Sequence, residues 1–171
     1  EFLENILEKS LTCLNFIKCP NNQLPLFNGA SEKIINQLDD NLKTNYKKKT
    51  KNIIGGLFKL KQKKHVIFFD VGEPPKKNFS KCYQSGPLSF EYFLDGDKII
   101  SNSGFGSNIS SKAELLSRLT ACQTTLTLND TSVTKFERNK LVNKVFGNSI
   151  KNSFKTYDVN ILNDSNFSGC S

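Results

Sequence analysis

The sequence predicts an α+β protein, in which a short helical N-terminal part is followed by a mainly antiparallel β-sandwich. Up to about residue 43 the apolar residues recur at helical spacing. Beyond residue 55 they occur at alternate positions or in short apolar runs, separated by turn residues. Two helices followed by many short strands fit either a single α+β domain or the tail of a helical domain that leads into a sandwich.

Two helices are predicted in the N-terminal part. In Glu1–Lys18 the apolar side chains share one helical face, and Cys19-Pro20 ends the segment because proline disfavours helical backbone in the residue before it. A second helix is predicted at Ser31–Leu42, where Ser31 is a suitable N-cap.

Short strands are predicted in the rest of the chain, at Leu57–Leu60, Val66–Val71, Leu88–Leu94, Lys98–Asn102, Thr125–Leu128, Leu141–Phe146 and Tyr157–Leu162. The turn Asp95-Gly96-Asp97 predicts a hairpin, because glycine supplies the positive φ that a tight turn needs. Lys112–Ser117 predicts a short helix. We therefore divide the chain into a helical part (1–43), a lysine-rich linker (44–54) and a β-sandwich (55–171) that we expect to be incomplete.

The charge of the chain restricts its partners. The 171 residues include 24 Lys and Arg against 16 Asp and Glu, a net charge of +8, yet only Arg118 and Arg138 are arginines. A protein that recognises nucleic acid would be expected to use more arginine and to interleave basic with aromatic residues. We therefore predict no nucleic-acid partner. The lysines fit a solvated surface or attraction for an acidic polysaccharide, and no apolar run is long enough to span a membrane.

Cysteine and histidine usage argues against metal and disulfide chemistry. The cysteines are odd in number and form no CxxC pair; they are Cys13, Cys19, Cys82, Cys122 and Cys170. This pattern fits neither a disulfide framework nor a zinc ribbon. His65 is the one histidine, so a histidine-based metal site cannot be assembled from this sequence. We predict no metal and no other cofactor.

Three ordered motifs resemble the heparinase II/III-like family of uronic-acid polysaccharide lyases. The first is Leu24-Pro25-Leu26-Phe27-Asn28-Gly29. The second runs from Phe69-Asp70-Val71-Gly72-Glu73-Pro74-Pro75 through Gly86-Pro87-Leu88-Ser89-Phe90-Glu91 to the strand Ile99–Gly104. The third is Arg118-Leu119-Thr120-Ala121-Cys122-Gln123-Thr124-Thr125-Leu126. The resemblance implies a fragment of a lyase whose cleft lies between a helical toroid and the sandwich, with the acid/base tyrosine in the toroid. It also implies an acidic polysaccharide as partner and a location in the periplasm or cell envelope.

The chain departs from the family at two positions that usually hold histidine, where it has Gln84 and Gln123. A uronate lyase needs donors that neutralise the substrate carboxylate, a base and an acid. Glutamine can donate a hydrogen bond but cannot carry a proton. We therefore treat Gln84 and Gln123 as candidate neutralisers, and Arg118, Gln84, Gln123 and Tyr83 as candidate substrate-binding residues. Arg118 is included because its planar guanidinium matches an oxyanion, and no catalytic base is assigned.

Two functions stay open at this point. The chain is either part of a lyase-like protein that cleaves uronic-acid-containing polysaccharide by β-elimination, or part of a non-catalytic carbohydrate-binding or structural β-sandwich relative that lost its catalytic histidines. We expect the side chains of Gln84 and Gln123 to approach one concave face, with Arg118 nearby. We also expect this segment alone to be inactive and poorly stable, because its helices would lack the rest of the toroid.

Overall fold

A computed structural model describes residues 2–31, 52–137, 139, 141, 143, 147–152, 154–157, 159–163 and 168–170. In these residues an N-terminal helix precedes a five-stranded antiparallel sheet, which is followed by turns, a short helix and a two-stranded ladder. The predicted α+β class is therefore confirmed. The predicted domain boundaries stay a prediction, because residues 32–51 lie outside the described part of the chain.

The N-terminal helix α1 spans Phe2–Ile17, as the apolar spacing predicted. Its last carbonyl groups are bound by a lysine of the sheet: Lys59 Nζ donates to the carbonyl oxygens of Phe16 at 2.8 Å and Lys18 at 3.0 Å. Carbonyl groups at a helix end have no partner within the helix, so this lysine both caps α1 and holds it against the sheet. The second predicted helix, Ser31–Leu42, lies outside the described residues apart from Ser31.

The sheet is a simple meander in which each strand pairs with the next along the chain. Its strands are β1 (Ile53–Ile54), β2 (Leu57–Gln62), β3 (His65–Asp70), β4 (Phe90–Leu94) and β5 (Asp97–Ile100). The predicted hairpin between β4 and β5 is confirmed: Asp95 and Gly96 have φ values of 54° and 100°, as a two-residue type I′ turn requires. The first four predicted strands after residue 55 are therefore confirmed as β2 to β5, with ends that differ from the prediction by one or two residues.

The core lies on one face of this sheet. Val66, Phe68 and Phe93 pack there against Cys19 and Phe27, which come from the segment that follows α1. Burial in β3 alternates along the strand, so that every second side chain faces this core. The first motif therefore contributes directly to the core through the Phe27 ring.

A short helix and a short strand pair complete the described structure. Helix α2 spans Ser111–Leu116, close to the predicted Lys112–Ser117, and the Ser110 hydroxyl caps it by accepting from the Ala113 amide at 3.0 Å. Strands β6 (Ile161–Asn163) and β7 (Ser168–Cys170) form a separate antiparallel ladder. Within the described residues no helix is both long and apolar enough to cross a membrane.

The prediction of a strand at Thr125–Leu128 is wrong. Only Leu128 takes part in a bridge there, an isolated one to Thr131 across a tight turn. The segment is instead held by side chains: the Thr125 hydroxyl donates to the Pro87 carbonyl at 2.5 Å. The alternating pattern misled because Leu126 and Leu128 are 76% and 68% exposed rather than packed.

The other two C-terminal strand predictions also need correction. In Leu141–Phe146 the described residues Leu141 and Asn143 are helical, and the remainder lies outside the described residues. Asn139 accounts for the helix, because its side-chain oxygen accepts from the Leu141 amide at 2.9 Å as an N-cap does. In Tyr157–Leu162 extended pairing begins only at Ile161.

Candidate functional site

The first and second motifs meet at the end of β3. The Asn28 side chain donates from Nδ2 to Asp70 Oδ2 at 3.3 Å, and its Oδ1 accepts from the backbone amide of Gln84 at 3.3 Å. The Gly29 amide donates to Gln84 Oε1 at 3.1 Å. Two consecutive residues of the first motif thus bind Asp70, in the second motif, and Gln84, although more than forty residues separate the first motif from either along the chain.

Gly29 is required at this junction for two reasons. Its φ is +94°, a backbone conformation that side chains disfavour. A Cβ at this position would also lie 2.6 Å from Cys82 Cβ, much closer than carbon atoms approach one another. The close approach brings the loop that contains Cys82 against the first motif.

The third motif is bound to the second through threonine and asparagine. The Thr124 hydroxyl accepts from the Phe90 amide at 2.9 Å, while the Thr124 amide donates to Asn102 Oδ1 at 2.9 Å. Thr124 therefore connects the start of β4 with the segment after β5. All three motifs that carry the family resemblance belong to one continuous hydrogen-bonded network.

The two glutamines converge on one backbone carbonyl. Gln84 Nε2 donates to the Ser117 carbonyl at 3.0 Å and to the Gly104 carbonyl at 3.0 Å. Gln123 Nε2 donates to the same Ser117 oxygen at 2.7 Å. The side chains are buried, 2% exposed for Gln84 and 8% for Gln123. Their role as neutralisers stays a prediction, and their amide groups already have partners within the protein.

Arg118 lies close to the glutamines but is fully buried. Its guanidinium donates to three backbone carbonyls: Nε to Tyr83 at 2.8 Å, Nη1 to Asn148 at 2.5 Å and Nη2 to Ser80 at 2.8 Å. The guanidinium also lies over the Phe136 ring, with 4.3 Å between its carbon and the ring centre. Burial lowers the pKa of Arg118 to about 10. Two of its donors are therefore directed at the segment between Pro75 and Gly86 of the second motif, and the third is directed at Asn148.

Tyr83, the fourth predicted residue, borders a cavity. It lines a pocket of about 250 Å³ together with Asn28, Gly55, Glu73, Pro75, Phe79 and Cys82. Tyr83 is 3% exposed, and its hydroxyl has no hydrogen-bond partner among the described residues. Burial raises the pKa of this phenol, and the nearby Asp70 raises it further.

Asp70 was missed as a site residue, although it belongs to the second motif. It is buried at the end of β3, and burial raises its pKa to about 6. Hydrogen bonds from the Gly72 amide at 3.2 Å and from Asn28 oppose that rise only in part. The sequence shows that a carboxylate directly follows the apolar run of β3, whereas its burial, which is uncommon for a carboxylate, is seen only in the structure.

The described residues contain no group of three or more histidine, cysteine, aspartate or glutamate side chains placed to hold a metal ion. Cys13, Cys19, Cys82 and Cys122 are free thiols.

The fold is similar to that of a solved polysaccharide lyase. The crystal structure of a mutant of the heparan sulfate lyase HepC from Pedobacter heparinus superposes with a TM-score of 0.53 at 18% sequence identity. The match covers 75% of this chain and 26% of that lyase. The chain thus corresponds to about a quarter of the length of the lyase, and at this identity the likeness concerns the fold alone.

Sequence comparison identifies the family. No curated protein matches the sequence. The C-terminal domain of the heparinase II/III-like family matches residues 54–165, which is more than half of the chain and includes the second and third motifs. The chain therefore belongs to the heparinase II/III-like family, through its C-terminal domain.

Proposed function

We propose that this chain forms the β-sheet domain of a protein that binds uronic-acid-containing polysaccharide and cleaves it by β-elimination. Membership of the heparinase II/III-like family is the observation that carries the proposal. The hydrogen-bonded network supports it, because the first motif binds Asp70 and Gln84, and Gln123 of the third motif donates to the same Ser117 carbonyl as Gln84.

The reaction has three chemical requirements. The substrate carboxylate must be neutralised, a base must remove the neighbouring proton, and an acid must meet the leaving glycosidic oxygen. We assign the base and acid to the helical toroid that the family resemblance implies, outside this chain. This chain then contributes the surface against which the polysaccharide is held.

The four predicted residues take different parts in this proposal. Gln84, Gln123 and Arg118 act as positioning residues, because each directs its side-chain donors to backbone carbonyls. The carbonyl that accepts from Arg118 Nη2 belongs to Ser80, next to the pocket residue Phe79. Tyr83 is the direct ligand-binding candidate, since it lines the pocket. The net charge of +8 would attract an acidic polymer from a distance.

The experiment is an assay of the full-length protein with a panel of uronate polymers, in which the unsaturated product is followed by ultraviolet absorbance. Product from at least one uronate polymer, and none from a neutral glucan, is the expected result. Binding of a uronate polymer without any product would instead favour the non-catalytic relative, and neither binding nor product would refute the proposal.

A further inference from the structure

The Phe79 loop, which comprises residues 76–81 between β3 and β4, exposes an aromatic side chain to solvent. Phe79 itself is 79% exposed and ends a short 3₁₀-helix, Lys77–Phe79. The residue also lines the pocket beside Tyr83. Single apolar side chains are common on protein surfaces, so a function for this ring depends on how it is held and on what lies around it.

Buried residues hold the backbone of the Phe79 loop. Arg118 donates from Nη2 to the Ser80 carbonyl at 2.8 Å, and both of these side chains are fully buried. The Ser80 hydroxyl donates to the Lys77 carbonyl at 2.7 Å and accepts from the Ile150 amide at 2.9 Å. The exposed ring is therefore attached to backbone that is held in place before a ligand binds, which lowers the entropy lost on binding.

The Phe79 loop also carries three exposed lysines, which are Lys76, Lys77 and Lys81. None of them forms an ion pair with a carboxylate in the described part of the chain. The stem of Lys81 packs over Gly147, where an added Cβ would lie 3.0 Å from the Lys81 Cγ. Glu73, which is exposed just before the loop, opposes one of the three positive charges. The surface around the ring is thus cationic, with lysines available to an anion.

An exposed ring among lysines matches the chemistry of an acidic polysaccharide. A sugar ring has an apolar C–H face that can pack on an aromatic ring, and its carboxylate or sulfate groups attract lysine. Other anionic partners fit less well. A segment that binds a membrane surface needs a larger apolar area than one ring, and proteins that bind single-stranded nucleic acid stack successive bases on several rings.

We propose that the Phe79 loop is a contact site for an acidic polysaccharide, in which the ring packs on a sugar and the lysines bind its carboxylate or sulfate groups. The inference rests on the proposed function in taking such a polymer as the ligand. It adds the residues that hold the polymer, next to the pocket that Tyr83 lines. The donors of Gln84, Gln123 and Arg118 are bound to backbone carbonyls, whereas the lysines of this loop face solvent.

Binding of soluble polymers to the full-length protein tests the site. Alginate, hyaluronan and heparan sulfate are the uronate polymers, and dextran is the neutral one. Surface plasmon resonance in the cold, where cleavage is slow, gives the dissociation constant at low and high salt. The wild type should bind at least one uronate polymer and not dextran, and salt should weaken binding because it screens the lysines.

Three variants test the ring. Phe79→Ala should raise the dissociation constant of the bound uronate polymer about fivefold to tenfold, because it removes the surface on which the sugar packs. Phe79→Tyr keeps the ring and should stay within about twofold of the wild type. Phe2→Ala is the matched control, since Phe2 lies in α1 and is 76% exposed, and it should leave the constant unchanged.

Two triple variants separate the lysines of the loop from net charge. Alanine at positions 76, 77 and 81 should raise the dissociation constant about tenfold and weaken its dependence on salt. The control removes the same charge from three exposed lysines elsewhere, which are Lys9, Lys61 and Lys112. It should raise the constant by no more than about threefold, because only long-range attraction is lost.

Three results would overturn the inference: wild-type affinity in Phe79→Ala, equal effects of the two triple variants, or binding of no uronate polymer by the wild type. Vesicles that contain phosphatidylserine test the membrane alternative. Variants of the loop that lose vesicle binding but keep polymer binding would also overturn it.

Failure of the proposed function is distinguishable from failure of this site. If no uronate polymer yields unsaturated product while the loop variants still weaken polymer binding, the lyase proposal fails and the contact site stands. If product forms but the loop variants bind the polymer as the wild type does, the contact site alone fails.

Discussion

Replacement of Arg118 by alanine should cost the protein a large part of its stability. The guanidinium donates to the carbonyls of Ser80, Tyr83 and Asn148, and the side chain has no exposed surface. Arg118→Ala leaves all three carbonyls without this donor and leaves a cavity beside Phe136. At about 1 kcal/mol or more for each carbonyl, together with the lost packing, we expect the free energy of unfolding to fall by about 3–5 kcal/mol.

Urea denaturation of the full-length protein, followed by circular dichroism, measures this loss. Arg118→Lys keeps the charge but cannot reach three carbonyls, so it should recover only part of the stability. Lys112→Ala, at an exposed position of α2, is the control and should stay within about 0.5 kcal/mol of the wild type. An Arg118→Ala protein that is as stable as the wild type but binds polysaccharide less tightly would refute the positioning role and favour a direct substrate contact.

Three further predictions concern the junction around Asp70. Burial raises the Asp70 pKa from 3.8 to about 6, so the folded protein keeps this proton to higher pH than the unfolded chain does. The free energy of unfolding should therefore fall by up to about 3 kcal/mol between about pH 4 and pH 7. Asp70→Asn should remove this fall with pH, when the free energy of unfolding is measured by urea denaturation at each pH. The same pH dependence in the variant and the wild type would show that Asp70 is not its source. Gly29→Ala should destabilise the protein by more than Gly96→Ala does. Both glycines have positive φ, but only an alanine at position 29 would also clash with Cys82. Equal losses of stability in thermal unfolding would show that the loop around Cys82 adapts. Tyr83→Phe should raise the free energy of unfolding of the unliganded protein by about 1–3 kcal/mol, since it removes a buried hydroxyl without a partner, and a loss of stability would reveal a partner for that hydroxyl.

Local sequence patterns predicted those elements of the fold whose buried residues or turn residues follow a regular pattern along the chain. The helical spacing of Phe2–Ile17, the alternation in β3 and the Asp95-Gly96 turn each leave a periodic or conformational signal in the sequence. Thr125–Leu128 has the same alternation, but its apolar side chains are mostly exposed, and its prediction as a strand was wrong. The Asn139 side chain caps backbone that is helical at Leu141 and Asn143, where the apolar pattern predicted a strand.

The candidate site was predictable only as a set of motifs. The resemblance to the family identified Gln84, Gln123 and Arg118 as residues that belong together, and the structure brings the two glutamines to the carbonyl of Ser117. Their partners are backbone carbonyls, which leave no signal in a sequence. For the same reason the free hydroxyl of Tyr83 and the raised pKa of Asp70 required coordinates, since both depend on burial.

The chemical nature of the cleavage product tests the central claim most directly. The full-length protein is incubated with the uronate polymer that it cleaves best, and the products are analysed by mass spectrometry and ultraviolet absorbance. β-Elimination predicts oligosaccharides with an unsaturated terminal uronate, each lighter by one water than the corresponding hydrolysis product. Saturated products that have gained a water would identify a hydrolase, and intact polymer throughout the panel would contradict lyase activity.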